Sequence, residues 1–298
     1  MDKLIIEVRV NEYMMRDVNP NVPWTPADLA RDAAAIQAEG AAMLHFHARN
    51  ADGSPAHDYE AYRDSIRAIR GASDLLLHPT LGQNTVHGDE ARVAHIPRLA
   101  ADGLTPEFAS IDLGSTNIDI YDPSTKSYTS TDKSYVNSTA TLMFLLRTFA
   151  RAGVRPVLAC WSIPFIRTIE PFFDMGLLTG PAYVLLIHTG GGQLGGHPPT
   201  PAGLRAFLDV MPDRPIQWSV CSKPGNLFPT AAQAIQLGGH VSIGIGDHTY
   251  AEMGAPTNAE LVRRVVEMAR SYGRQVATPD EARQMLGVSR GGAAWSAA

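Results

Sequence analysis

His45 and His47 stand two residues apart in AAMLHFHARN (41–50), directly after a short apolar run. Side chains two apart on a strand share a face. Both imidazoles can then address one ion, while Phe46 packs outward under the helices. Imidazole pairs suit Zn2+, and a catalytic zinc takes about three protein ligands plus an open position. The plainer reading is a pair of hydrogen-bonded core histidines. The place of the pair at a strand end favours a site. Candidates for the third ligand are His78, Glu12, Asp247 and His248, and each has an ordinary alternative. Glu12 can pair with Arg16, Asp247 can hydrogen-bond a loop, and His248 can face solvent.

The elements that must position these groups alternate along the chain. Strand-like runs occupy 4–10, 41–46, 74–78, 107–113, 156–161, 183–188, 216–221 and 240–245. Helical patterns lie between them. TPADLARDAAAIQAEG is one, with Thr25 as cap, Pro26 at the first helical position and Gly40 at its end. Strands alternating with such helices imply a parallel sheet. Eight of them predict a closed (β/α)8 barrel, an α/β TIM barrel, with a doubly wound open sheet as runner-up. We expect a single domain over 1–298, with 289–298 as a tail that is loosely ordered or part of a subunit contact.

A barrel of this kind carries its active site at the C-terminal strand ends. Those ends hold Asn11 and Glu12; His45 and His47; His78 and Thr80; Ser110 and Asp112; Trp161; His188 and the glycines after it; Lys223; and Asp247. Residues 114–135 form one long polar stretch after the fourth strand, suited to a substrate loop or a solvated excursion. Gly190 and Gly191 begin a glycine-rich loop whose backbone amides can hold a carboxylate or phosphate, though no GK[ST] follows. On strand one, Glu7 and Arg9 alternate with Ile6, Val8 and Val10. Buried charges are costly unless paired, so a paired polar network is expected there, either structural or in contact with substrate.

The composition narrows the class. The chain has 298 residues, 45% of them hydrophobic, and a formal charge of -5. No run of Lys and Arg exceeds two residues, which speaks against nucleic acid or an anionic membrane surface. No apolar run reaches membrane-spanning length, and MDKLIIEVRV enters a strand at once without a signal-peptide pattern, so a cytoplasmic location is expected. Cys160 and Cys221 fit a reduced compartment and have no metal-motif spacing.

NPNVPWTPADLARDAAAIQAEGAAMLHFHARNADGSPAHD, ASIDLGSTN and GGHVSIGIGDHTY resemble the signatures of the β-keto acid cleavage enzyme family. The resemblance implies a zinc-dependent (β/α)8 barrel that assembles into homo-oligomers, a tetramer or similar. It implies cleavage of a small β-keto acid with acetyl-CoA, giving acetoacetate and a new CoA thioester. His45 and His47 then bind the metal, Asp247 falls on the catalytic acidic position, and Ser110 on a substrate-contacting hydroxyl. The chain also departs from the pattern. Gly246 stands where the family carries a zinc-binding Glu, Ser242 where it carries an Arg, Ala159 where it carries a Glu, and Pro79 at a hydroxyl position. His78 is the expected substitute metal ligand, although strand parity speaks against it; Glu12 is the expected replacement carboxylate. Thr80, Ser110, Asp112, Arg49, Gly190 and Gly191 are the expected substrate contacts, with Lys223 or Arg49 taking over anion binding. Two other readings remain: a metal-dependent hydrolase or aldolase that does not use CoA, and a non-catalytic metal- or ligand-binding barrel.

Overall fold

A computed structural model of the protein describes residues 2–82, 85–292 and 295. Eight parallel strands alternate with helices: β1 (Ile6–Arg9), β2 (Met43–Phe46), β3 (Leu76–Pro79), β4 (Phe108–Asp112), β5 (Arg155–Cys160), β6 (Ala182–His188), β7 (Ile216–Ser222) and β8 (His240–Ile243). They hydrogen-bond in the spatial order β3-β2-β1-β8-β7-β6-β5-β4, a nearly closed barrel. At the seam, the Leu77 amide of β3 donates to the Glu107 carboxylate beside β4 at 2.9 Å. A side chain there does the work of a missing ladder bond. β1 to β4 and β8 run shorter than their apolar stretches, where the outermost residues turn into the loops, whereas β6 and β7 each run one residue longer.

Local chemistry explains the helix ends. Thr25 and Asp28 form a reciprocal capping box, Pro26 takes the first helical position, and Gly40 ends the helix Pro26–Glu39 at φ 112°. Outward strand residues such as Val8, Leu44 and Leu77 are fully buried beneath the helices. Phe46 is buried with them, 6.2 Å from the Tyr62 ring of the helix Tyr59–Ala72. The polar stretch after β4 is more regular than its composition suggests. Thr116–Asn117 pairs with Ser134–Tyr135, and Tyr121–Asp122 with Ser127–Tyr128, as two small antiparallel ladders. In the tail, Trp295 is buried and its indole donates to the Val154 carbonyl at 2.9 Å. Residues 293, 294 and 296–298 of the tail lie outside the described residues. Among the described residues, no helix is long and apolar enough to cross a membrane.

Candidate active site

Register brings the site together. Arg9 lies beside His45 across β1 and β2, and His45 beside His78 across β2 and β3. Beyond the strand ends, Asn11 fastens two loops. Its amide donates to the carbonyls of Pro23 (3.0 Å) and His47 (2.9 Å), and its side-chain oxygen accepts from the His47 amide at 2.9 Å. Glu12 follows at φ 40°, a left-handed conformation that costs a non-glycine residue about 1–3 kcal/mol. Arg49 holds it there. The guanidinium donates to the carbonyls of Glu12 and Gly53 at 2.6 Å and of Met14 at 3.1 Å.

The turn swings the Glu12 carboxylate into the barrel mouth, against both histidines. Oε1 lies 2.9 Å from His45 Nε2 and Oε2 lies 2.8 Å from His47 Nε2. Glu12, His45 and His47 are the group, among the described residues, whose ligand atoms all fall within 4.8 Å of one another. All three are buried. Burial, with Arg9 and His78 nearby, pushes the His45 imidazole well down; burial likewise outweighs Glu12 at His47. Both rings are therefore neutral and able to offer a lone pair. Burial would raise the Glu12 carboxyl, but Arg9 first, then Lys223 and His47, hold it well below the usual range. Neither ring nitrogen of His45 makes a well-directed hydrogen bond, although Nε2 lies close to Glu12. Two neutral imidazoles and one ionised carboxylate fit a borderline dication such as Zn2+.

Around this group, Lys223 Nζ lies 3.0 Å from Glu12 Oε2 and 3.9 Å from Asp247 Oδ1, and Arg9 Nε lies 2.6 Å from Asp247 Oδ2. Burial lifts the Asp247 carboxyl to about 6 against the pull of Arg9. The cavity above has both charged and apolar lining. Arg9, Glu12, His45, His47 and Lys223 line it, as do Ala159, Trp161, Leu185 and Ile187. Thr80, Ser110 and Asp112 also line it, with Asp112 accepting from the Trp161 indole at 2.7 Å.

Several expectations change. His78 is not in the metal-binding group. Its Nδ1 faces Glu7 Oε1 at 2.6 Å and its Nε2 faces Ser110 Oγ at 2.5 Å, so both nitrogens are engaged. Arg49 is a backbone clamp, its donors taken by carbonyls outside the cavity. Gly190 and Gly191 sit against Pro224, where a Cβ would come within 2.8 Å; they serve chain packing and do not line the cavity. Glu12 does not pair with Arg16, which bonds Asp28 at 2.8 Å. His248 pairs with Glu252 at 3.0 Å, away from the cavity. The cavity also includes Tyr13, Leu81, Arg92 and Tyr135, which sequence reasoning missed. Tyr13 and Leu81 sit on loops, Arg92 on the short helix Asp89–Val93 and Tyr135 in a two-residue ladder, where no long periodicity marks a direction. Leu185 and Ile187 follow from period-two alternation along β6.

A family model for beta-keto acid cleavage enzymes matches residues 3–288. The chain belongs to the beta-keto acid cleavage enzyme family. It is 31% identical over 294 residues to the 3-keto-5-aminohexanoate cleavage enzyme of Acetoanaerobium sticklandii, covering 97% of this chain and 100% of that protein. It is 27% identical over 287 residues to the 3,5-dioxohexanoate:acetyl-CoA acetone transferase of Paraburkholderia graminis, covering 90% of each. Among solved structures, apo ObcA superposes with a TM-score of 0.69 at 16% identity, over 90% of this chain and 66% of ObcA, a likeness of fold.

Within this family the glycine at 246 acquires a physical reason. A Cβ there would meet the Arg9 carbonyl and the Asn11 amide at 2.7 Å and the Glu12 amide at 2.8 Å. The backbone at the end of β1 occupies the space that a side chain at 246 would need. The same approach carries Glu12 to the histidines.

Proposed function

We propose that this protein cleaves a small β-keto acid with acetyl-CoA at a metal held by Glu12, His45 and His47. The observation that carries this reading is the convergence of those three side chains at the barrel mouth, in a chain of this family. The carboxymethyl unit of the keto acid moves to the acetyl carbonyl, giving acetoacetate. The remaining acyl group takes the CoA thiolate. Atoms balance, nothing is oxidised, and no water is consumed.

Zn2+ bound there would supply Lewis-acid polarisation of the keto group. The protein's own groups divide the other tasks. Asp247, with its carboxyl near 6, is ionised at neutral pH and takes the proton from the carbon between keto group and carboxylate. Arg9 and Lys223 form the cationic side of the cavity and hold the substrate carboxylate, replacing the arginine that Ser242 displaces. Thr80 and Ser110 orient the keto group. Ala159, Trp161, Leu185 and Ile187 cover the carbon tail and exclude water. The protein works as a homo-oligomer, as its resemblance to the family implies.

The test is turnover of a panel of 3-oxo acids, followed as acetoacetate, with and without acetyl-CoA. Acetoacetate that depends on both substrates supports the reading. Cleavage without acetyl-CoA would move it to a hydrolase. Tight binding of metal and acid with no product from any member would leave a ligand-binding barrel.

A further inference from the structure

Below the candidate metal-binding group, a second constellation runs across the barrel. Glu7 and His78 are fully buried on β1 and β3. Glu7 Oε1 lies 2.6 Å from His78 Nδ1, and Glu7 Oε2 accepts from Ser242 Oγ at 2.5 Å. His78 Nε2 in turn lies 2.5 Å from Ser110 Oγ across the seam between β3 and β4. Ser110 is partly exposed and lines the cavity.

This network sets the tautomer. The Glu7 carboxylate faces a donor at each oxygen, Ser242 Oγ at Oε2 and His78 Nδ1 at Oε1. It is an anion and accepts at both oxygens. In the neutral imidazole, Nδ1 carries the hydrogen and donates it to Glu7, and Nε2 is the lone pair. The Ser110 hydroxyl donates to that lone pair, and its oxygen is free to face the cavity. Hydroxyl, imidazole and carboxylate stand in the order and at the distances by which an activated nucleophile is recognised on unrelated folds. Satisfying the buried Glu7 requires only Ser242 and the His78 Nδ1–H. The link from Nε2 to a cavity-lining hydroxyl adds nothing to that purpose.

We propose that Ser110 is a nucleophile, with His78 as its base and Glu7 as the group that orients the ring, and that it accepts the acyl group of small activated esters and thioesters. Ser110 Oγ adds to the acyl carbonyl and passes its proton to His78 Nε2. The acyl–oxygen or acyl–sulfur bond breaks, and the departing alkoxide or thiolate takes that proton. Water then attacks the acyl-serine, gives a proton to Nε2, and Ser110 recovers it as the carboxylic acid leaves. Ser110 and His78 are the catalytic residues; Glu7 is a positioning residue that acts through His78. This activity needs neither the metal nor a keto acid, so it stands apart from β-keto acid cleavage.

Methanesulfonyl fluoride, small enough for a narrow cavity, is the probe. The purified wild-type protein is treated with it, and the adduct is located by peptide mass spectrometry beside Ser110→Ala and His78→Gln. One methanesulfonyl adduct on Ser110 is expected, absent in Ser110→Ala and formed at least 100-fold more slowly in His78→Gln. Hydrolysis of p-nitrophenyl acetate should fall in parallel, while zinc content in Ser110→Ala stays unchanged. If His78→Gln does not fold, the wild type and Ser110→Ala decide alone, through the site of the adduct and the loss of ester turnover. An adduct elsewhere, no adduct on Ser110, ester turnover that survives Ser110→Ala, or a folded His78→Gln that labels at the wild-type rate would each overturn the proposal.

Discussion

Glu12 is where several local forces meet. Its backbone is held in a left-handed turn by Arg49, and its carboxylate is shared by two imidazoles, Arg9 and Lys223. Replacing it with Gln keeps the shape and removes the charge. Glu12→Gln should lower zinc affinity at least 100-fold, or about 3 kcal/mol, as read by titration against a chelator. Lys223 is placed to hold an anion, so Lys223→Met should raise KM for the oxo acid about tenfold while zinc stays bound. The histidine pair was legible because two-residue spacing on a strand fixes a shared face. The role of Glu12 beside it was less so. It lies beyond the strand, and its direction depends on a turn that no local pattern announces. Arg49 misleads for the opposite reason: it follows the histidines closely, but its donors end on backbone carbonyls.

At the level of elements, the contact between the ends of β1 and β8 governs the site. Gly246 touches the backbone from Arg9 to Glu12 and leaves no room for a methyl group. Gly246→Ala should therefore cost about 1–3 kcal/mol of stability by overpacking. It should also weaken zinc binding, although residue 246 offers no ligand; urea denaturation and zinc titration measure the two effects. A glutamate at 246 should weaken the site likewise, because its side chain needs the space that the Glu12 turn occupies. The strands themselves were readable from alternation and apolar runs, and the capping box at Thr25 and Asp28 from residue types alone. The two small ladders after β4 were not. Two-residue pairings between polar segments carry no hydrophobic period, and they bring Tyr135 to the cavity from a stretch that reads as loop.

For the whole molecule, eight alternations were enough to predict the barrel; how it closes was not visible. The seam between β3 and β4 is bridged by side chains, Glu107 to the Leu77 amide and His78 to Ser110, which propensity does not encode. Stability also has a pH signature outside the site. Asp32 accepts from the Asn258 amide at 2.7 Å, and Asn258 further ties Val10 and Ile245 together. Burial lifts the Asp32 carboxyl from 3.8 to about 7. Over this window the folded chain keeps a proton that the unfolded chain has released, so its contribution to stability falls as pH rises from about 4 to 7. Asp32→Asn should flatten that dependence and stabilise the protein by up to about 4 kcal/mol at pH 8, seen as a shifted urea midpoint that vanishes near pH 4.

The most direct test of the account is zinc stoichiometry and affinity in the wild type beside Glu12→Gln and the double variant His45→Ala/His47→Ala. The account predicts one zinc per chain, much weaker binding in Glu12→Gln and none in the double variant. Zinc held as tightly by Glu12→Gln as by the wild type would contradict it, and would mean that the metal is completed by some residue other than the one the first strand delivers.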